Sequence, residues 1–241
     1  MEEKLRLARC PSTPAEVLRE LVREPKYQVR REVARNPSTP AEALERLAND
    51  EEASVRRATV WNPNTPSSVL KRLAQDPDVG VRWAVAQNKN TPVEALTRLA
   101  GDECLDVRRE VATNPHTPAV ALERLAEDKN LWVRQAVAKN LNTPAHVLER
   151  LAGDPDVLVR REVVKNRSTP VGVLSGMYRK LNTEVQWVVA RRLIAHLEEL
   201  PEEPALWLAI WEAANEDGRA RIAEHPYGQV VAVLAGLSCP G

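Results

Sequence analysis

The chain has no phenylalanine, only three cysteines and nine glycines, and no net charge. Each scarcity excludes something. Cys10, Cys104 and Cys239 are odd in number and far apart, so neither a disulfide framework nor a Cys-x-x-Cys metal site is on offer. The scattered glycines make no phosphate-cradling loop. No apolar run approaches the ~18 residues that mark a membrane span, and Met1-Glu2-Glu3-Lys4 opens no apolar leader. A soluble, cytoplasmic protein with no membrane partner is the expectation. The zero balance hides an asymmetry: residues 1–192 hold 32 Lys/Arg against 26 Asp/Glu, and residues 193–241 hold 2 against 8. Neither excess demands a nucleic-acid partner.

What is present is periodicity. The pair Thr-Pro stands at Thr13-Pro14, Thr39-Pro40, Thr65-Pro66, Thr91-Pro92, Thr117-Pro118, Thr143-Pro144 and Thr169-Pro170, each 26 residues after the last. A fixed period of this length is the mark of stacked repeats. Between Thr39 and Pro63, Thr39 suits an N-cap, Pro40 the first helical position, and Glu42 completes a capping box. Ala43, Leu44, Leu47 and Ala48 then share one helical face. Val55, Thr59 and Val60 mark a second, shorter face, which Asn62-Pro63 ends. We call these the leading and trailing helices. No period-two pattern occurs, so the fold class is all-α.

Two columns are invariant. Leu recurs at Leu18, Leu44, Leu70, Leu96, Leu122, Leu148 and Leu174, and Val at Val29, Val55, Val81, Val107, Val133, Val159 and Val185. One helix pair cannot bury both, but stacked neighbours can. Two polar columns are expected to be structural. Asn36, Asn62, Asn88, Asn114, Asn140 and Asn166 suit a left-handed helix C-terminus and its turn. Glu24/Arg30, Asp50/Arg56, Asp76/Arg82, Asp102/Arg108, Asp128/Arg134 and Asp154/Arg160 pair an acid with an arginine six residues on. In the seventh repeat both members change, to Lys180 and Gln186. A ladder of charge-assisted hydrogen bonds is the expectation.

The Asn-Pro-x-Thr-Pro turn, the Leu-x-x-Leu-Ala helix and Val107-Arg108-Arg109-Glu110-Val111-Ala112 resemble the leucine-rich repeat variant family over roughly residues 5–192. The Asp…Val-Arg pair is also similar to the ladder of HEAT repeats. The resemblance implies a curved, right-handed α-solenoid of about seven two-helix repeats whose second helix is short or of 3-10 type. A described family member carries a cysteine-bound iron–sulfur cluster ahead of its repeats. Only Cys10 stands there in this chain, so that cluster is not expected.

The expected organisation is an N-terminal half-repeat cap at 1–12, seven repeats at 13–192 and an acidic, degenerate C-terminal cap at 193–241. In that cap Leu193–Leu200 extends the last helix, and Ala205, Leu208 and Trp211 fit a degenerate leading helix. Trp207 and Trp211 are expected core, Ile222–Pro226 imitates the repeat ending, and Val230–Leu237 closes the stack. His116 and His146 fall in different columns, and with His196 and His225 they suggest no metal site or triad. We expect no enzyme, no metal and no cofactor. If Val29, Val33 and Ala34 face inward, Gln28, Arg31, Glu32 and Arg35 face out. Those columns collect Trp61, Trp83, Trp132 and Trp187 among arginines, the side chains most enriched at binding hot spots. The candidate partner-binding residues are Arg31, Arg57, Trp83, Arg109, Gln135, Arg161 and Trp187, one shared column. The expected function is a monomeric, non-enzymatic scaffold binding a protein or peptide. The alternative is a nucleic-acid-binding HEAT-like protein or base-repair enzyme.

Overall fold

The computed structural model describes residues 1–178 and 183–234, with the side chains of 183–188, 230, 233 and 234 outside the description. Every regular element within it is helical: 18 α-helices and one 3-10 helix. The chain divides into two compact units, Met1–Asn142 and Thr143–Gly241.

In the first unit a helix at Glu2–Arg9 precedes five helix pairs. The leading helices are Ala15–Leu21, Ala41–Leu47, Ser67–Leu73, Val93–Leu99 and Ala119–Leu125. The trailing ones are Tyr27–Arg35, Ala53–Val60, Val79–Gln87, Leu105–Thr113 and Leu131–Lys139. The trailing helices are α-helices of eight or nine residues, longer than their seven-residue leading partners. They pack closely on one another in series, whereas the leading helices meet each other far less. The Leu and Val columns of this unit are 0 or 1 % exposed. Burying each such side chain is worth roughly 1.5–3 kcal/mol. Ala8 joins the cluster around Leu18, Val29 and Val33, so Glu2–Arg9 packs on the first repeat.

The threonine column does not cap the helix that follows it. The cap position belongs to Pro40, extended at φ −71°, ψ 156°, and no side chain bonds there. The buried Thr39 hydroxyl instead donates backwards to the Val33 carbonyl at 2.6 Å. Thr13, Thr65, Thr91 and Thr117 repeat this bond to Leu7, Thr59, Val85 and Val111. Proline has already removed one orphan N–H, while the last carbonyls of the trailing helix are sealed from water and need a donor.

The asparagine column also differs from expectation. Asn36 is extended at φ −69°, ψ 122°, not left-handed. Its amide reaches into the preceding repeat, donating to the Ala8 and Cys10 carbonyls at 2.8 Å each, while its Oδ1 accepts from Ser38 N–H. Asn62 does the same to Ala34 and Asn36, and Asn114 to Ala86 and Asn88. Asn36, Asn62, Asn114 and Asn140 therefore each tie a turn within their own repeat and staple two carbonyls of the repeat before, and Asn88 takes the Val60 carbonyl.

The charged ladder exists in another register. Arg82 donates from Nε and Nη2 to Asp102 of the next repeat, at 2.7 and 3.1 Å. From its own repeat it takes the Asp76 carbonyl with Nη1, at 2.9 Å. Arg30–Asp50, Arg56–Asp76 and Arg108–Asp128 follow the same plan. An arginine thus finds its carboxylate 20 residues ahead, not six behind, because a fork-shaped guanidinium can satisfy a turn carbonyl and a bidentate carboxylate together. Lys4 plays the arginine's part towards Glu24, at 2.5 Å. Burial pushes the Asp128 carboxyl up, but bonds from Arg108 and the Asn130 N–H outweigh it and hold it below its ordinary value. Lys180 and Gln186 lie outside the described side chains.

The second unit opens with the repeat pair Ala145–Leu151 and Val157–Lys165, continues with Val171–Tyr178 and Thr183–Ile194, and ends in Leu197–Glu199, Pro204–Ala213, Glu216–Glu224 and Pro226–Leu234. Arg192 occupies the asparagine column of the seventh repeat. Its Nη1 donates to the Val164 and Asn166 carbonyls at 2.7 and 2.8 Å. Desolvation holds this guanidinium below the ordinary arginine value. His225 ends Glu216–Glu224 with the extended backbone of an asparagine cap, and its Nδ1 accepts from Tyr227 N–H. Residues 222–226 therefore do imitate a repeat ending. Trp207 and Trp211 are buried as expected. The inward face of Pro204–Ala213 is Leu206, Trp207, Ile210 and Trp211, with Ala205 exposed and Leu208 half-buried. Leu193 and Ile194 complete the long trailing helix, and Leu197–Glu199 is a separate 3-10 turn. Val231 and Ala232 are buried. Residues 235–237 lie outside the description.

Candidate binding face

The first unit's trailing helices bury Val29, Val33 and Ala34 and their column-mates, so four other positions meet solvent. The outermost column is Arg35, Trp61, Gln87, Thr113 and Lys139, all exposed. A second column at the helix starts is apolar: Tyr27, Ala53, Val79, Leu105 and Leu131. Tyr27 and Val79 are exposed and the others half-buried. A third holds Gln28, Ser54, Gly80, Asp106 and Trp132. The candidate column Arg31, Arg57, Trp83, Arg109 and Gln135 forms the shoulder of this face. Only Arg57 in it is exposed, and the other four are half-buried. Arg161 stands exposed on the second unit, and the side chain of Trp187 is outside the description. Sequence reasoning passed over the apolar Tyr27–Leu131 column, although its period was there to read.

One outward residue turned inward. Glu32 is 8 % exposed, in a column otherwise filled by Ala58, Ala84 and Ala136 and by half-buried Glu110. That column lies between neighbouring trailing helices, where a small side chain fits best. Glu32 is tolerated because Arg9, Arg31 and Arg35 surround its carboxylate at 3.3, 3.2 and 3.1 Å. Further along, Arg109 pairs with Asp106 and Gln87 donates to Glu110.

Two aromatic side chains here are costly to leave in water. Trp61 is 45 % and Trp132 48 % exposed. On these helices Ala58 and Ala84 are buried, and a Cβ on Gly80 would lie 3.0 Å from Asp78 Oδ1 and 3.4 Å from Arg57 Nη1. Three polar atoms on the same helices are buried without a partner: Gln28 Oε1, Arg31 Nε and Ser54 Oγ. Unpaired buried polar atoms are rare in folded proteins and call for an explanation.

Nucleophilic and metal chemistry find no such concentration. Among the described residues no group of His, Cys, Asp or Glu could hold a metal ion, and Cys10 and Cys104 are free thiols. No helix among them is long and apolar enough to cross a membrane.

Paired helices in series, tied by side chains that reach from repeat to repeat, make this a helical repeat protein. A family model described as leucine rich repeat variant matches residues 27–52, 79–103, 105–130 and 131–156. A solved leucine-rich repeat variant, described as having a novel repetitive structural motif, is similar at 32 % identity and a TM-score of 0.57, over 75 % of this chain and 72 % of its own. The chain belongs to the leucine-rich repeat variant family. A solved engineered protein also matches, at 19 % identity and a TM-score of 0.47, over 96 % of this chain and 82 % of its own. No curated protein matches the chain.

Proposed function

We propose that the chain is a non-enzymatic scaffold that binds a protein or peptide along the solvent face of its trailing helices. The observation that carries this is the pair of exposed tryptophans, Trp61 and Trp132, on helices whose opposite face already builds the core. A tryptophan that seals a stack is buried, and these two residues keep nearly half of their surface in water. Their neighbours Arg57, Arg109 and Lys139 add charged donors to an apolar base, the composition of an interaction surface rather than of a solvated helix. Arg31, Trp83 and Gln135 flank that surface; Arg161 and Trp187 hold the same sequence column in the second unit, the Trp187 side chain outside the described residues. On this reading residues 1–12 and 193–241 are caps to the repeats at 13–192, and the protein acts as a cytoplasmic monomer without a cofactor. Glu32, Asp106 and Glu110 among the arginines make a uniform polyanion a poor ligand, which disfavours the nucleic-acid reading.

The test is affinity capture from the native host with the full chain and its Trp61→Ala, Trp132→Ala and Arg57→Ala variants, with a melting curve for each. Loss of a captured partner with melting temperature held within a few degrees supports the face. Variants that only melt earlier identify the tryptophans as seals. A gel shift with DNA or RNA that weakens steeply with salt would favour the alternative.

A further inference from the structure

We propose that the sixth repeat carries a carboxylate receptor: the guanidinium of Arg160, held in the geometry of the charged ladder with its carboxylate-binding edge unfilled. The ligand is a carboxylate group from outside the repeat array. The site belongs to the turns between leading and trailing helices, so it goes beyond the trailing-face reading and does not depend on it.

Arg160 is half-buried and anchored as the ladder arginines are. Its Nη1 donates to the Asp154 and Pro155 carbonyls at 2.6 and 2.9 Å. Arg82 Nη1 takes the Asp76 and Pro77 carbonyls at 2.9 and 3.2 Å, and Arg108 Nη1 takes those of Asp102 and Glu103 at 2.8 and 3.0 Å. With the guanidinium plane fixed in this way, Arg82 and Arg108 present Nε and Nη2 to the carboxylates of Asp102 and Asp128. Arg160 Nε and Nη2 meet no acceptor among the described residues, and neither atom is sealed from water. The residue 20 ahead, where those acids stand, is Lys180. Its structure is outside the description, and an ammonium accepts no hydrogen bond. Two parallel donors of fixed direction match the two oxygens of a planar carboxylate.

The acids of its own repeat neither fill nor cancel this edge. Asp154 and Asp156 already accept from the Asp156 and Leu158 N–H groups. Arg82 has Asp76 and Asp78 in the same two positions, engaged in the same manner, and it still binds Asp102. The neighbouring repeat also leaves more room. In the first unit the grooves beside Arg30 and Arg56 are bordered by Arg46 and Arg72 of the next leading helix. In the seventh repeat that column holds Gly176, which is exposed and has nothing within 4 Å of where a Cβ would stand. The position that borders the groove with a long side chain elsewhere carries none here.

The experiment is NMR of arginine Nε–H groups on the full chain near neutral pH, with sodium acetate replacing sodium chloride at constant ionic strength. Arg160→Lys and Arg82→Lys identify the two signals. Before acetate, the Arg160 proton should exchange with water at least about tenfold faster than that of Arg82. On titration the Arg160 signal should shift and saturate while the Arg82 signal stays in place. An Arg160 signal as protected as that of Arg82 and indifferent to acetate would overturn the proposal, since the edge would then be filled within the chain. Inorganic phosphate saturating it at a lower concentration than acetate would overturn the carboxylate assignment. In Arg160→Lys, which keeps the charge and loses the fork, the backbone N–H signals of residues 154–160 should cease to respond to acetate. A retained response would mean attraction to charge alone and would overturn the fork. Two further probes separate the sources of the carboxylate: a blocked peptide with one aspartate between serines, and its asparagine counterpart. Binding of the aspartate peptide about tenfold tighter than acetate, with none of the asparagine peptide, assigns the carboxylate to an acidic side chain of a partner protein. Equal binding of peptide and acetate assigns it to a small free acid.

Discussion

In the first unit the carbonyls that end Glu2–Arg9, Tyr27–Arg35, Ala53–Val60, Val79–Gln87 and Leu105–Thr113 are taken by an asparagine of the following repeat. In the second unit the equivalent carbonyls, on Val164 and Asn166, are taken by Arg192. His225 likewise supplies the turn acceptor that an asparagine Oδ1 supplies elsewhere. Three different side chains meet one arrangement of backbone groups. The repeat is therefore specified less by residue identity than by which main-chain atoms lose water when the helices stack. The column remains Asn across the regular repeats because Asn both donates and accepts from a short stem. It can change where the next element no longer needs both functions.

The largest losses are expected at the charged ladder of the first unit. Asp102→Ala takes the bidentate carboxylate from the largely buried Arg82 guanidinium, leaving it Glu103 at 3.6 Å and the Asp76 carbonyl, and should cost about 3–5 kcal/mol in urea unfolding. Arg82→Ala with Asp102→Ala should cost less than the two changes added together, with coupling of about 1–3 kcal/mol. A cycle on Asp102 and Arg108 should show far weaker coupling, because only the Asp102 main-chain carbonyl meets that arginine. Equal coupling in the two cycles would overturn the register.

Asn114→Ala comes next. It orphans two buried carbonyls and the His116 N–H, and a loss of about 2–4 kcal/mol is expected. Arg192→Asn should cost only about 1 kcal/mol if the same carbonyls are the target. A larger loss there than at Asn114 would mean that the two units are built on different principles.

Acid offers a smaller and sharper effect. A carboxyl held below its unfolded value adds stability that is fully present above that unfolded value, about 3.9 for Asp. It is lost as pH falls through the lower, folded value. Asp128 is such a group. Stability measured between neutral pH and the acid limb should fall less steeply below about pH 4 in Asp128→Asn than in the parent. The smallest effect belongs to His225→Asn, which keeps an acceptor for Tyr227 N–H and should stay within about 0.5 kcal/mol.

The stacked helix pairs, the buried Leu and Val columns and the existence of a ladder were all legible in the sequence, because each leaves one residue type at one period. Register was not. An acid and an arginine look the same on the page whether they meet within a repeat or across two, and only the stacking distance decides. The threonine misled for a similar reason: its position before proline fits an N-cap, but burial directs its hydroxyl to the preceding helix. At the binding face, Trp61 and Trp132 were visible as tryptophans on outward columns. Glu32 was not visible as buried, since a glutamate among outward columns reads as solvent-facing and its column mixes Ala58, Ala84 and Ala136 with Glu110 and Glu162. The orphaned Gln28, Arg31 and Ser54 atoms had no signal at all, being defined by what surrounds them.

The direction of the ties has a consequence for how such a chain can change length. Arg82 reaches forward by 20 residues, and Asn114 reaches back by 26 and 28. Removing residues 65–90 would bring Arg56 opposite Asp102 and Asn114 opposite the carbonyls of Val60 and Asn62. Every tie would be remade with the same atom types. A cut of 25 or 27 residues would restore none of them. Growth and loss are thereby quantised, and a recombination event that slips by one period leaves a folded array. The same cut would remove Val79 and Trp83 from the trailing face. Such a lineage can redraw its surface by whole-repeat editing while the stack beneath stays intact.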